Sequence, residues 1–362
     1  MVTRKRVVVY LGVFFLIVFV NLIIITVASS DLVCRLNFSN GSNPSGTPRP
    51  IEQSPIQTTQ LWSRELRISN SLEGIKQHGN MIIAANAACN EINAYDLSTG
   101  NLIWRNILSG PQTVEIDSAN NQVYITGAWV WKRQIAAFNL ANGETEWVNK
   151  SQYFQRGGIS VDVLPDGGIF ASGNVFDSSS DFFPVNPNTG ELGQPTNFSN
   201  LQNRIYSVGG ELFYEPTVQQ FSLRNGETGS ILWSINTPDG IGQGDILASE
   251  EVLIIQGANQ LIAIELNSGE RLWEYTQGEI ISNLAIDDQQ LYFLNIDAAL
   301  ISLELTTGKV VNTINFIPPA PEARRRTTGT GSIANSWVTI NNDIVAIYFN
   351  DIETLNAFKI DG

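Results

Sequence analysis

One short motif recurs about every 40 residues and constrains this chain more than any other feature. Its copies are AYDLSTGNLIW (Ala94–Trp104), AFNLANGETEW (Ala137–Trp147), FSLRNGETGSILW (Phe221–Trp233) and AIELNSGERLW (Ala263–Trp273). Two degenerate copies, PVNPNTGELGQ (Pro184–Gln194) and SLELTTGKVVN (Ser302–Asn312), lack the Trp. The turn glycines are Gly100, Gly143, Gly190, Gly229, Gly269 and Gly308, spaced by 43, 47, 39, 40 and 39 residues. Each copy reads as an apolar strand, a polar turn whose Gly can take a positive φ, and a second strand that carries a Trp. Several short strands repeating at this period are the signature of propeller blades. The recurring indoles Trp104, Trp147, Trp233 and Trp273 are expected to wedge between neighbouring blades, and the two copies without Trp to be less tightly locked.

The last copy, LNAFKIDG (Leu355–Gly362), has the strand and turn but no Trp strand. A matching strand stands at the other end of the repeat region, around Trp62 in Gln60-Leu61-Trp62-Ser63. The expected fold is therefore all-β: a seven-bladed β-propeller of four-stranded blades with split-blade closure. The seventh blade takes its outer strand from residues 60–67 and its inner three from 330–362. Such closure removes exposed sheet edges. The stretch after Gly269, ISNLAID, DQQ, LYFLNI, DA, LISLEL and TTG, shows the four-strand rhythm with tight turns.

Ahead of the propeller, Arg4, Lys5 and Arg6 precede an apolar run from Val7 to Ala28. Its 22 residues would rise about 33 Å as a helix, enough to cross a bilayer core of ~30 Å. The run is longer than the ~7–15 apolar residues of a cleaved signal peptide, so an uncleaved transmembrane signal anchor is expected. Cleavage before Ser29, after Thr26 and Ala28, is the alternative. A lipidated Cys34 is a further one, although Asp31-Leu32-Val33 lacks the small residues such a site wants. With the basic cluster held in the cytoplasm, the rest of the chain is exported. The expected organisation is a cytoplasmic tail (1–6), a transmembrane helix (7–28), a flexible Ser, Asn, Pro and Gly-rich tether (29–59) and the propeller (60–362).

Composition removes several function classes. The net charge of −14, from 35 acidic and 21 basic residues, argues against nucleic-acid binding, which needs a basic stripe. One His and two Cys cannot make a multi-histidine or four-thiolate metal site. No Ser/His/Asp or Cys/His arrangement is visible.

The motif Ala94-Tyr95-Asp96-Leu97-Ser98-Thr99-Gly100 with Trp104 resembles the pyrroloquinoline quinone (PQQ)-like, or quinoprotein-like, propeller repeat, Ala-x-Asp-x-x-Thr-Gly-x-x-x-Trp. The resemblance spans roughly Leu61–Gly362 and implies the fold rather than an activity. The family holds alcohol dehydrogenases with PQQ and calcium. It also holds non-catalytic propellers such as the scaffold lipoprotein of the outer-membrane β-barrel assembly machinery. The dehydrogenases typically have eight blades, adjacent cysteines over the quinone, a catalytic aspartate and Glu/Asn calcium ligands. Here Cys34 lies in the tether, Cys89 stands alone and no acidic cluster has ligand spacing, so PQQ is disfavoured and no cofactor, metal site or catalytic residue is expected.

Propeller ligands usually meet one mouth of the central channel. The residues expected there are Gln112, Arg156, Gly157, Arg204, Gln243, Asp245, Ser282 and Asn283. Arg156 and Arg204 offer planar forks for carboxylate or sugar hydroxyls in a cation-poor chain. Trp129 and Trp131, two apart in ITGAWVWKRQI, could form an aromatic platform for a sugar or partner chain, or pack over a neighbouring blade. The function expected from these features is a membrane-anchored, extracytoplasmic, non-catalytic propeller that binds a protein partner or cell-envelope ligand. The alternative is a PQQ-dependent or sugar-acting enzyme using the channel mouth.

Overall fold

The computed structural model describes residues 57–66, 68, 74–129, 132–150, 159–163, 168–174, 180–194, 206–208, 212–216, 220–225, 230–236, 241–249, 251–257, 259–287, 289–315, 336–350 and 353–361. The expected anchor at 7–28 lies outside them. Among the described residues every regular element of more than a single turn is a strand, and no helix is long and apolar enough to cross a membrane.

The strands form an all-β propeller. Seven antiparallel sheets are described, six of four strands and one of three. Sheet 1 runs through Ile75–His78, Met81–Asn86, Glu91–Asp96 and Leu102–Ile107. Sheet 2 comprises Pro111–Asp117, Gln122–Trp129, Lys132–Asn139 and Thr145–Asn149. Sheet 3 comprises Ile159–Val163, Ile169–Asn174 and Ser180–Pro184, and sheet 4 comprises Tyr206–Val208, Leu212–Pro216, Gln220–Asn225 and Ile231–Asn236. Sheet 5 consists of Ile241–Ala248, Val252–Gly257, Leu261–Glu265 and Arg271–Tyr275. Sheet 6 consists of Ala285–Asp287, Gln290–Leu294, Ala299–Glu304 and Val310–Asn315.

Sheet 7 is split in sequence. Its inner strands are Ser336–Asn341, Ile344–Phe349 and Thr354–Asp361, and its outer strand is Gln57–Glu65. That outer strand starts inside the stretch expected to be tether and stops short of the expected residue 67. Gln57 pairs with Asp361 and Glu65 with Thr354, with a bulge between Gln60 and Trp62.

The core lies in the seams between sheets. Second and third strands are apolar on both faces, as Ile82–Ala85 and Val252–Ile255 show, because each sheet is covered by its two neighbours. Outer strands alternate, and in Leu102–Ile107 only Trp104 is buried. One contact repeats at five seams. Trp62, Trp104, Trp147, Trp233 and Trp273 each lay the indole on the turn glycine of the next sheet: Gly100, Gly143, Gly190, Gly269 and Gly308. The indole N–H of each also donates to a carbonyl in the same turn, of Leu97, Leu140, Pro187, Leu266 and Leu305, at 2.7–2.9 Å. A methyl on any of these glycines would sit 2.3–2.7 Å from the ring, and their φ of +67° to +74° disfavours a side chain independently. Gly229 lies outside the described residues.

Two residues after the Trp, on the same strand face, a second donor reaches the glycine carbonyl. Arg64 meets Gly100 O at 3.0 Å, Asn106 meets Gly143 O at 2.7 Å and Asn149 meets Gly190 O. The seam between sheets 7 and 1 adds Tyr348, whose hydroxyl donates to Leu66 O and accepts from Ile68 N. Trp337 of the innermost strand is buried in the same seam, 4% exposed.

Trp104→Ala is expected to cost about 3–5 kcal/mol, the usual range for a buried aromatic. Gly143→Ala should cost about 1–3 kcal/mol from its φ and the 2.4 Å clash with Trp104. The double variant should cost less than the sum, because each change removes the other's partner. Urea unfolding of the four proteins measures the cycle, and strict additivity would contradict the contact. Deleting Gln57–Glu65 should lower Tm more than either variant by leaving Thr354–Asp361 unpaired on one side.

Candidate binding surface

The mouth residues named from the sequence separate into three groups. Arg156, Gly157 and Arg204 lie outside the described residues, as does Trp131. Gln243 and Asp245 lie on the strand Ile241–Ala248, which positions their backbone. Gln112, Ser282 and Asn283 are fully placed.

Asn283 has its amide engaged within the fold. Its Oδ1 accepts from Val338 N at 2.7 Å, and its Nδ2 donates to Val338 O and Leu284 O, both at 3.0 Å. It thereby clamps sheet 6 to sheet 7. Beside it the buried Ser282 Oγ donates to Asn283 O and accepts from Leu294 N, and Ser282 forms a parallel bridge with Ser336. The fully buried Gln256 of sheet 5 donates to Ser282 O at 3.0 Å. The line continues to sheet 1, where Thr339 bonds Gln77 and Asn341 donates to Gly79 O. A polar stitch thus crosses four successive sheets.

Sheet 2 carries the other feature. Its central hairpin, Gln122–Trp129 with Lys132–Asn139, has strands of eight residues, against six in the corresponding hairpin of sheet 1. The extension is held by the connection before it. Ala128 N donates to Gly110 O at 2.9 Å, and Gln134 Nε2 donates to Ser109 O at 3.0 Å. Gly127 permits this approach, since a Cβ there would stand 2.8 Å from Ser109 O. At the tip, Trp129 pairs in register with Lys132. Arg133 donates to Gln112 Oε1 at 3.2 Å, so this mouth residue is tied to the base of the tip. The described backbone thus carries Trp129, Lys132 and Arg133 at the end of a hairpin whose base is tied to the preceding connection.

Ionisable groups with displaced pKa values sit in turns and seams. Burial alone would raise the Asp96 carboxyl, but hydrogen bonds from Ser98 Oγ, Thr99 Oγ1 and Thr99 N outweigh it and hold it below its ordinary value. The Glu265 carboxyl is lowered chiefly by hydrogen bonding from Ser268. Burial pushes the phenols of Tyr95 and Tyr348 up to about 12. Among the described residues, no three His, Cys, Asp or Glu side chains gather as a metal site. His78 is exposed and leads into the Gly79-Asn80 hairpin turn. Cys89, expected to stand alone, is half-buried and disulfide-bonded.

Some contacts had no counterpart in the sequence reading. The donors at Arg64, Asn106 and Asn149 are visible afterwards as W-x-R or W-x-N in the motif copies, because residues two apart share a strand face. The stitch through Gln256, Ser282 and Asn283 has no local signal.

The carboxyls of Asp96 and Glu265 are lowered on folding, so their stabilisation is present above their unfolded values near ~4 and lost as pH falls through the folded ones. Thermal melts should therefore weaken below about pH 4. Asp96→Asn should flatten that dependence and keep the turn, as Asn139 does at the same position in sheet 2. An unchanged acid profile would contradict the turn assignment. The raised phenols act in the opposite direction. Their stabilisation is present below about pH 10 and lost as pH rises towards about 12.

No curated protein sequence matches the chain. Among solved structures, the crystal structure of BamB from Moraxella catarrhalis is similar, at 13% identity and a TM-score of 0.53, over 84% of this chain and 98% of that one. That likeness concerns the fold. The family model described as outer membrane protein assembly factor BamB matches residues 53–193 and 185–357, nearly the whole propeller. With its repeat, its split seventh sheet and this match, the chain belongs to the BamB-like family of PQQ-repeat β-propellers.

Proposed function

We propose that the protein is a membrane-anchored, extracytoplasmic, seven-bladed propeller that serves as a non-catalytic scaffold for a protein partner in the cell envelope. The observation that carries this reading is the assignment to a family described by an outer membrane assembly factor. The apolar run Val7–Ala28 behind Arg4, Lys5 and Arg6 supports the anchor. The disulfide at Cys89 supports an oxidising compartment. The indole contact from Trp62 to the first sheet supports closure of the seven sheets into one ring.

The partner surface in this reading is the long hairpin of sheet 2 that carries Trp129, with Trp131, Arg156, Arg204 and Asp245 retained as the contacts expected from the sequence. Asn283 serves the same mouth by holding sheets 6 and 7 in place rather than by touching the partner. PQQ is not part of the function. The two cysteines, Cys34 and Cys89, stand far apart in the sequence and do not form the adjacent pair of the family's quinoprotein dehydrogenases.

Proximity crosslinking of the native protein, with a photoreactive residue at Trp129, should capture a defined envelope protein. Capture should be lost with Lys132→Glu and Arg133→Glu together. Titration with PQQ and calcium, read by Trp fluorescence and dye reduction, should give no saturable response. Saturable binding with dye reduction would overturn the scaffold reading in favour of a quinoprotein enzyme.

A further inference from the structure

The seam between sheets 6 and 7 departs from the indole-filled seams. Sheets 5 and 6 correspond residue for residue through their pairing. Ile254 opposes Ala263 and Ala263 opposes Trp273, just as Tyr292 opposes Ser302 and Ser302 opposes Asn312. In sheet 5 the face turned to its neighbour includes Val252, Ile254, Ala263 and Trp273, all in one apolar cluster with Leu291, Phe293 and Leu303 of sheet 6. In sheet 6 the matching positions hold Gln290, Tyr292, Ser302 and Asn312. Each of the four has become an amide or hydroxyl side chain, and the indole is gone.

A cleft of about 520 Å³ opens at this place, within the ~300–1,000 Å³ usual for small-ligand sites. The four polar side chains line it. Leu300 and Ile314 of sheet 6 and Ile340 and Ile360 of sheet 7 supply apolar wall. Ile360 N donates to Asp343 O as Leu97 N donates to Asn80 O. Ile360 is thus the counterpart of the residue that receives the Trp62 indole, and the cleft occupies the vacated indole position. At the rim Lys359 and Asp343 pair at 3.2 Å and neutralise each other.

One atom points to a ligand independently of the shape. Ser302 is 2% exposed, and its Oγ has no hydrogen-bond partner in the protein. A buried hydroxyl left in that state costs free energy unless something in the cleft completes it. The inner end of the seam is closed by the Asn283 clamp and the Ser282–Ser336 bridge, so the cleft is not a failure of the two sheets to meet.

We propose that this cleft is a carbohydrate-binding site that takes one neutral pyranose ring of a glycan. Amide and hydroxyl side chains both donate and accept, as sugar hydroxyls do. The isoleucine wall suits the C–H face of a ring, and the mutually paired rim charges favour an uncharged ligand. An aromatic side chain from a partner would instead suit the wholly apolar set of positions in sheet 5, four of which are amide or hydroxyl side chains in sheet 6. The site is separate from the hairpin tip and the channel mouth, and it does not depend on the scaffold function.

The test is saturation-transfer NMR on the full chain with glucose, N-acetylglucosamine and its trisaccharide, and with N-acetyltryptophanamide as the aromatic probe. Saturable transfer to at least one sugar is expected. Asn312→Trp, which returns the indole of the other seams, should abolish that transfer and raise Tm. Ser302→Ala should weaken binding roughly tenfold, the loss of one buried hydrogen bond, and it keeps the test open if the Trp variant does not fold. No saturable transfer to any sugar would overturn the proposal, as would transfer unchanged in the folded variants. Preferential uptake of N-acetyltryptophanamide would overturn it in favour of a partner's aromatic side chain.

Discussion

Everything in the propeller depends on an indole lying flat against a backbone that has no side chain. At five seams the outer strand of one sheet sends a Trp onto the turn glycine of the next. Its N–H takes a carbonyl of the same turn. The contact joins an apolar surface, a directed hydrogen bond and a steric requirement in one place. Because strand, turn and Trp come from a single short stretch, the spacing along the chain and the spacing around the ring are tied together. Polar turns are thus recruited into the core, where each turn carbonyl would otherwise need another partner.

The seams are not equivalent, and the differences are chemical. Seams fed by Trp62, Trp104 and Trp147 add a second donor two residues on, whereas those fed by Trp233 and Trp273 have Ile235 and Tyr275 at that position. The seam of sheets 6 and 7 has moved its attachment inward, to Asn283 and the Ser282–Ser336 bridge. Removing an apolar wedge and adding a buried polar clamp exchanges non-directional packing for geometry that fixes one register. Apolar cohesion there is kept by Leu300 and Ile314 packing with Val338, Ile340 and Ile347, while the cleft takes the place of the indole.

Legibility followed the same division. The repeat, the turn glycines and the outer strand around Trp62 are local patterns, and local patterns survive in sequence. The start of that strand is not legible because Gln57–Thr59 is as polar as the stretch before it, and only pairing with Lys359–Asp361 makes it a strand. The clamp made by Asn283 has no local signal because its partner, Val338, is 55 residues away. Cys89 looked solitary for a similar reason, since spacing alone carries no information about a disulfide partner. Ser302 and Asn312 could be read only as a weakened motif, because the loss of a Trp looks the same in sequence whether a seam has loosened or a cavity has formed.

The seventh sheet also sets an order of events during synthesis. Its outer strand, Gln57–Glu65, is made before every other described strand, and its partner, Thr354–Asp361, after all of them. Until the later segment emerges, the earlier one has no sheet to join, and the first sheet lacks the indole that covers Gly100. Pairing across so long a stretch of chain is slow compared with the hairpins inside each sheet. An incomplete polypeptide therefore offers an unpaired strand for the whole interval, the kind of edge that sticks to other chains. A holding chaperone acting on this protein would have its clearest target at the start of the domain rather than at its growing end.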